Sequence, residues 1–254
     1  MKQESVIIQK EMADASRSKA DCYADLIVGR RGLWPLVKFE LITMICIGAP
    51  GALGLWLRSR LYPLLLGACG ANVNFGRNVV LRHPHKIRIG SDVVVDDNCM
   101  LDAKGSDNDG IRIGSGVFIG RNTILSCKNG DIVLGDKVNM GFNSEIFSGS
   151  RVVLGDRALV AAYCYFIGGG YDSSDPDAAT TDRDRVSYGI EVGEDTWFGA
   201  GVKVLDGRSI GRGCIIGAGA VVNCDIPEYA VAVGVPAKVV KNRRPGAPDP
   251  ETSE

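Results

Sequence analysis

The stretch Ile210-Gly-Arg-Gly-Cys-Ile-Ile216-Gly-Ala-Gly-Ala-Val-Val222 decides how this chain folds, because a bulky apolar residue returns at every sixth position. Read backwards, the same beat holds Val204, Phe198 and Val192, breaks once, and resumes over Phe166, Val160, Leu154, Ile146, Met140, Leu134, Leu125, Ile119, Ile113, Leu101, Val95, Ile89, Leu81 and Phe75. A strict six-residue period marks a β-solenoid. Strands of an antiparallel sandwich would instead alternate every two residues.

The longer steps locate the corners. After Leu81, every step longer than six (81 to 89, 101 to 113, 125 to 134, 146 to 154 and 166 to 192) enters at one phase of an 18-residue unit. Three six-residue sides therefore close one triangular coil, and all insertions leave from a single corner. Four positions after each anchor the residue is small or β-branched, as at Val79, Cys99, Ser144, Ala158, Cys164, Thr196 and Ala220, with Arg208 the exception. Such residues suit a corner that narrows toward the axis. The glycines directly after anchors, including Gly114, Gly135, Gly155 and Gly193, read as tight bends at positive φ.

Ile113-Gly-Ser-Gly-Val-Phe-Ile-Gly, the C-terminal stretch above and the closing Gly234-Val-Pro-Ala-Lys-Val-Val resemble the hexapeptide-repeat acyltransferases, in particular bacterial O-acetyltransferases of surface polysaccharides, over roughly residues 72–240. The resemblance implies a left-handed parallel β-helix, an exception to right-handed crossovers, assembled as a homotrimer with acyl-CoA sites between subunits. The organisation expected is an N-terminal helical cap over 1–70, the β-helix over 71–240 with a protruding loop at 167–191, and a disordered tail over 241–254.

Net charge is about −1 and 45% of residues are hydrophobic, a balance that argues against nonspecific nucleic-acid binding. No CxxC occurs among the eight cysteines; Cys99, Cys164 and Cys214 fall in the small inward slots and Cys46 in an apolar run. They read as core residues of a cytoplasmic chain rather than disulfides or zinc ligands. Residues 1–31 lack the apolar segment of a signal peptide, and residues 10–24 are compatible with a helix. Leu41 to Leu57 is uncharged but broken by Gly48-Ala-Pro-Gly51, which makes it short for a membrane span. Two helices are expected there, one ending near Gly48 and one over 52–66. Residues 33–66 fit either a cap on the open solenoid end or an apolar surface resting on the inner membrane face, and the two are compatible.

The largest insertion, between Phe166 and Val192, is the place for chemistry. In the resembling enzymes a His-Asp pair follows the loop glycines. There the histidine takes the proton from an acceptor hydroxyl while backbone amides hold the thioester oxygen. Here Tyr171 occupies the histidine slot and Asp172 follows it, so these two are the catalytic candidates. His83 and His85, the only histidines, fall about four coils below, roughly 19 Å along the axis, and read as a turn. Two histidines also cannot supply the three-histidine zinc site of a γ-class carbonic anhydrase, so no metal is expected.

For the acceptor, Asn143, Glu145 and Tyr163 are the candidates, with a solvated outward face as the simpler alternative. For acetyl-CoA as acyl donor they are the bare backbone of Gly199, Ala200, Gly201, Gly217 and Ala218, with Lys238 meeting the phosphates; turn geometry alone also demands those glycines. The resemblance implies transfer of an acetyl or other acyl group to a sugar hydroxyl of a sugar or lipid-linked sugar. Two alternatives stay open: a catalytically silent homologue that binds glycan or CoA, and an N-acyltransferase of an amino sugar.

Overall fold

The six-residue beat closes into a three-sided prism wound as a left-handed parallel β-helix. The computed structural model describes residues 18–177, 179 and 183–244. The first face stacks strands from Ala68–Cys69 up to Arg208–Ile210, seven in all; the second begins at Asn74–Phe75 and the third at Val80–Arg82. Register follows the repeat: Ile113 pairs with Leu134 and Leu134 with Leu154 on the first face, and Ile146 pairs with Phe166 on the third. All three walls thus point their anchors at one axis, where the core residues are fully buried.

The insertions do leave from one seam, between the third face and the first. Pro84–Lys86, 103–110, 128–130, 149–150 and 169–189 all lie between a third-face strand and the next first-face strand. The small residues four after each anchor are buried, Cys99, Ala158, Thr196 and Ala220 completely. All eight cysteines are free; five are buried, Cys22 and Cys69 are partly covered, and Cys224 is exposed.

The reading of the glycines needs correction. Positive φ falls three residues after the anchor, at Asn98 (59°), Asn122 (60°), Asn143 (54°), Tyr163 (62°), Gly201 (76°) and Gly219 (70°). Glycine directly after the anchor serves stacking instead: a Cβ on Gly155 would come within 2.6 Å of the Glu194 amide nitrogen in the next coil. Lack of a side chain, not φ, is what that position requires.

Below the prism, α1 (Lys19–Tyr23) runs through a π-helical turn (Ala24–Val28) toward α2 (Leu33–Cys46) and α3 (Gly51–Leu61). These elements close the open end. Arg58 of α3 is only 3% exposed and donates to the carbonyls of Phe75, Cys46 and Ala49 at 2.8, 3.1 and 2.7 Å. Tyr62 packs edge-on against Phe75 and donates to the Val79 carbonyl. Arg58 is therefore a bolt between cap and prism. His83 sits at φ 49° and contacts the Asp25 carbonyl at 2.8 Å, so the His83-Pro-His85 turn anchors the cap as well.

At the upper end the last strand, Lys238–Asn242, turns back antiparallel on Ala230–Val233. Lys241 and Asn242 thus belong to the sheet, contrary to a disordered tail starting at 241. Residues 245–254, and 1–17 with most of the expected 10–24 helix, lie outside the described residues.

Candidate functional site

Face three has two edges of different character, and the residues picked out from the sequence divide between them. At the corner joining faces two and three, the positive-φ column climbs Asn122, Asn143, Tyr163, Gly201, Gly219. Asn122 Nδ2 donates to Asn143 Oδ1 at 2.8 Å, a ladder that uses Asn143 for the turn rather than leaving it aimed at a ligand. Tyr163, exposed, stands edge-on to Phe142, whose ring lies under Arg121. Above them the column turns bare. A Cβ on Gly219 would meet nothing within 4 Å and one on Gly201 only the Gly219 main chain at 3.9 Å, so the main chain at these two positions is approachable from outside, whereas Gly199 and Gly217 are covered by Ala218 and Val233. Lys238 pairs with Val233, whose side chain packs over Gly217, which brings Lys238 to the same end of the prism as the bare backbone.

The opposite edge is the seam. Here Gly170–Tyr171 pairs antiparallel with Arg185–Val186, so the long insertion leaves as a hairpin and Arg185 lies over the Tyr171 ring at 5.6 Å. Tyr171 is half exposed. The Asp172 carboxylate accepts from the Ser174 amide at 2.8 Å, and this bond holds its pKa below the ordinary aspartate value. Asp172 is thereby a weaker base than a free aspartate. The structure places Asn143 on the far corner from this loop, where its positive φ and asparagine ladder put it.

Glu145 lies between the edges, on the outward side of the third face with Tyr165 on the strand above and Lys203 beyond it. Burial pushes its carboxyl above the usual glutamate range, partly opposed by Lys128. Burial likewise raises the Tyr165 phenol, and Glu145 adds to it. A carboxyl so displaced is better matched to proton abstraction near neutral pH than Asp172. Sequence reasoning had assigned Glu145 to acceptor contact and had missed Tyr165 and Lys203. The 20-residue offset from Glu145 to Tyr165 was the available signal.

The histidines take no part. His83 is buried, which lowers its pKa, and burial with Arg30 nearby lowers His85 to about 4. A cavity of about 170 Å³ beneath the cap is lined by Tyr23, Phe39, Tyr62 and Arg82, and another of about 310 Å³ lies beneath Tyr188. None of the predicted catalytic, acceptor or donor residues lines either one. Among the described residues no group of three or more His, Cys, Asp or Glu is placed to hold a metal ion. No helix there is long and apolar enough to cross a membrane.

The bacterial transferase hexapeptide model (six repeats) matches residues 189–224. Over those residues the chain is similar to the bacterial transferase hexapeptide family. A probable acetyltransferase of Mycobacterium tuberculosis is 41% identical over 115 residues, covering 45% of this chain and 38% of that protein. A putative acetyltransferase of Staphylococcus aureus is 35% identical over 124 residues, covering 42% of this chain and 62% of that protein. The chain thus spans less than two thirds of the length of these relatives. A variant of AntD, an N-acyltransferase from Bacillus cereus in complex with dTDP and coenzyme A, shares the fold at TM-score 0.53 and 18% identity, over 70% of this chain and 84% of that one.

Proposed function

We propose that the chain is an acyl-CoA-dependent acyltransferase whose acceptor is a sugar hydroxyl. The observation that carries this reading is the placement of a half-buried carboxyl of raised pKa, Glu145, on the face whose bordering corner exposes the bare main chain of Gly201 and Gly219. The names of the acetyltransferase relatives support the reaction class.

In the proposed reaction, acetyl-CoA lies along that corner with its pantetheine arm against the glycine backbone and its phosphates toward Lys238. Glu145 accepts the acceptor's proton as the hydroxyl oxygen attacks the thioester carbonyl. The carbon–sulfur bond then breaks, and the proton passes from Glu145 to the departing thiolate. Asp172 and Tyr171 shape the loop that closes over the acceptor.

A homotrimer completes the arrangement. The outward column of the second face, Val94, Phe118, Asn139, Leu159 and Trp197, is exposed and apolar but for Asn139, and suits burial against a second copy. The hairpin and the glycine corner sit on opposite edges of one face, so a neighbouring copy's hairpin can close over the corner that its own chain leaves open.

The acceptor is proposed to be a lipid-linked sugar. The outward side of α2 presents Trp34, Val37, Leu41, Met44 and Ile45 at helical spacing, with Trp34 73% and Met44 71% exposed, while Phe39, Ile42 and Cys46 face inward. Trp56 and Leu53 of α3 are exposed as well, and Arg30, Arg31 and Arg60 are exposed in the same cap, Arg31 in an ion pair with Asp25. Such a combination suits an anionic bilayer surface.

Release of free CoA thiol from acetyl-CoA, measured with lipid-linked and nucleotide sugars, tests the reaction. Release with an acceptor present supports it, and matched hydroxyl and amino sugars separate O- from N-transfer. No release with any acceptor assigns the chain to the silent, binding class.

A further inference from the structure

The seam edge of the third face carries more positive charge than the chain itself neutralises. Asp102 and Lys104 are 3% and 4% exposed and form an ion pair at 3.2 Å, and Arg82 reaches the same carboxylate at 3.6 Å. One buried carboxylate thus serves two cations. One coil higher, at the position equivalent to Lys104, stands Lys128; Asp102 and Ser126 are direct cross-strand partners, and each lysine lies two residues beyond. The Lys128 ammonium is half-buried and makes no hydrogen bond or ion pair among the described residues.

Burial comes first among the causes that lower the Lys128 pKa, followed by Lys104, with Arg185 and Arg82 adding to it; Asp102 opposes them, and Glu145 is a second carboxylate within reach of Lys128. The four cations therefore lie within electrostatic reach of one point on the seam. Arg185 arrives from the hairpin, held over the Tyr171 ring. The nearby polar groups are already committed. Lys86 donates to the Gly105 carbonyl and to Asn108 Oδ1, and Asp131 accepts from the Gly110 amide. Four cations gathered partly out of water with fewer carboxylates than positive charges are costly unless an anion joins them.

We infer that Lys128 and Arg185, backed by Lys104 and Arg82, form a subsite for an oxyanion carried by the acceptor, a phosphate or a carboxylate. This rests on the acyltransfer reading for the identity of the ligand as an acceptor. It deepens that reading by making the acceptor acidic. Along the backbone Lys128 lies about 14 Å from Glu145, four residues at strand rise and one strand spacing away. The two side chains face the same side of the third wall and shorten that span. An acceptor held at the seam by its anionic group can present a hydroxyl to Glu145.

The experiment is calorimetric titration of the full chain, without acyl-CoA, with inorganic pyrophosphate, D-glucuronate and neutral D-glucose at matched ionic strength. Saturable binding of pyrophosphate or glucuronate, but not glucose, is the expected result. The stronger of the two identifies a phosphorylated or an acidic-sugar acceptor. Lys128→Gln and Arg185→Gln should each weaken the affinity at least tenfold, while Arg244→Gln, which removes a cation stacked on Tyr229 in the C-terminal strand region, should leave it unchanged. Thermal unfolding of each variant checks that it is folded. Equal losses in all three variants, or binding of pyrophosphate and glucuronate no stronger than that of glucose, overturn the subsite. A parallel titration with acetyl-CoA keeps the readings apart: donor binding without anion binding defeats the subsite alone, whereas thiol release with neutral acceptors only preserves the transferase and removes the acidic acceptor.

Discussion

The two edges of the third face are built from the same repeat and differ in what interrupts it. At the corner shared with the second face nothing is inserted, so one position per coil is free to change, and it runs from asparagine through Tyr163 to Gly201 and Gly219. Uninterrupted stacking there yields bare, accessible main chain. At the seam the chain departs from the repeat in successive coils, and the departures gather charge: Arg82, Lys104, Lys128 and Arg185 around Asp102. A regular edge suits a long, flexible arm that needs hydrogen bonds to backbone; an irregular one suits recognition of a particular partner. Glu145, between them, belongs to both.

The sharpest way to break this division is Glu145→Gln. If Glu145 takes the proton, turnover should fall by about a hundredfold or more, with acetyl-CoA affinity little changed, as measured by thiol release and titration. Next in size is Arg58→Met, which leaves three backbone carbonyls at the foot of the prism without their donor. It should cost about 3 kcal/mol, read as a fall in the thermal midpoint, while the seam and corner above keep their ligand affinities. A smaller effect is expected on membrane contact. Trp34→Ser with Met44→Ser should weaken binding to phosphatidylglycerol vesicles about tenfold, measured by co-sedimentation. A change in oligomeric state without loss of vesicle binding would assign that face to a second copy instead. Smallest of all, Asp172→Asn should change turnover by less than about threefold, because that carboxylate is already engaged with Ser174; a loss as large as that of Glu145→Gln would move the base from the middle of the face to the seam.

The regular part of the molecule was legible because each residue in it answers to one constraint. Ile113, Leu134 and Leu154 repeat for the axis, and the phase of the insertions alone sets the seam. The glycines misled because two constraints, close stacking and positive φ, favour the same residue. Only the placement of Gly155 against Glu194, and of Gly201 and Gly219 at positive φ, separates them. The site was half legible for a related reason. Tyr171 and Asp172 were singled out by position in a loop, yet the Ser174 contact that weakens Asp172 is a local turn with no periodic signal. Lys128 and Arg185 are 57 residues apart in sequence, and Arg185 comes within electrostatic reach of Lys128 from the hairpin. Nothing in the sequence around Arg58, which follows Leu55, Trp56 and Leu57, signals its role, because the carbonyls it caps come from three separate segments.

The central claim is that a burial-shifted carboxyl on the third face drives proton removal, and its most direct test is the pH profile of acceptor-dependent thiol release. Burial raises the Glu145 pKa, so the basic form appears at a higher pH than for a free glutamate. The wild-type rate should therefore climb as pH rises through that displaced value, and Glu145→Gln should show a low rate without this limb. A Glu145→Gln variant with the same rising limb and a near wild-type rate would contradict the account.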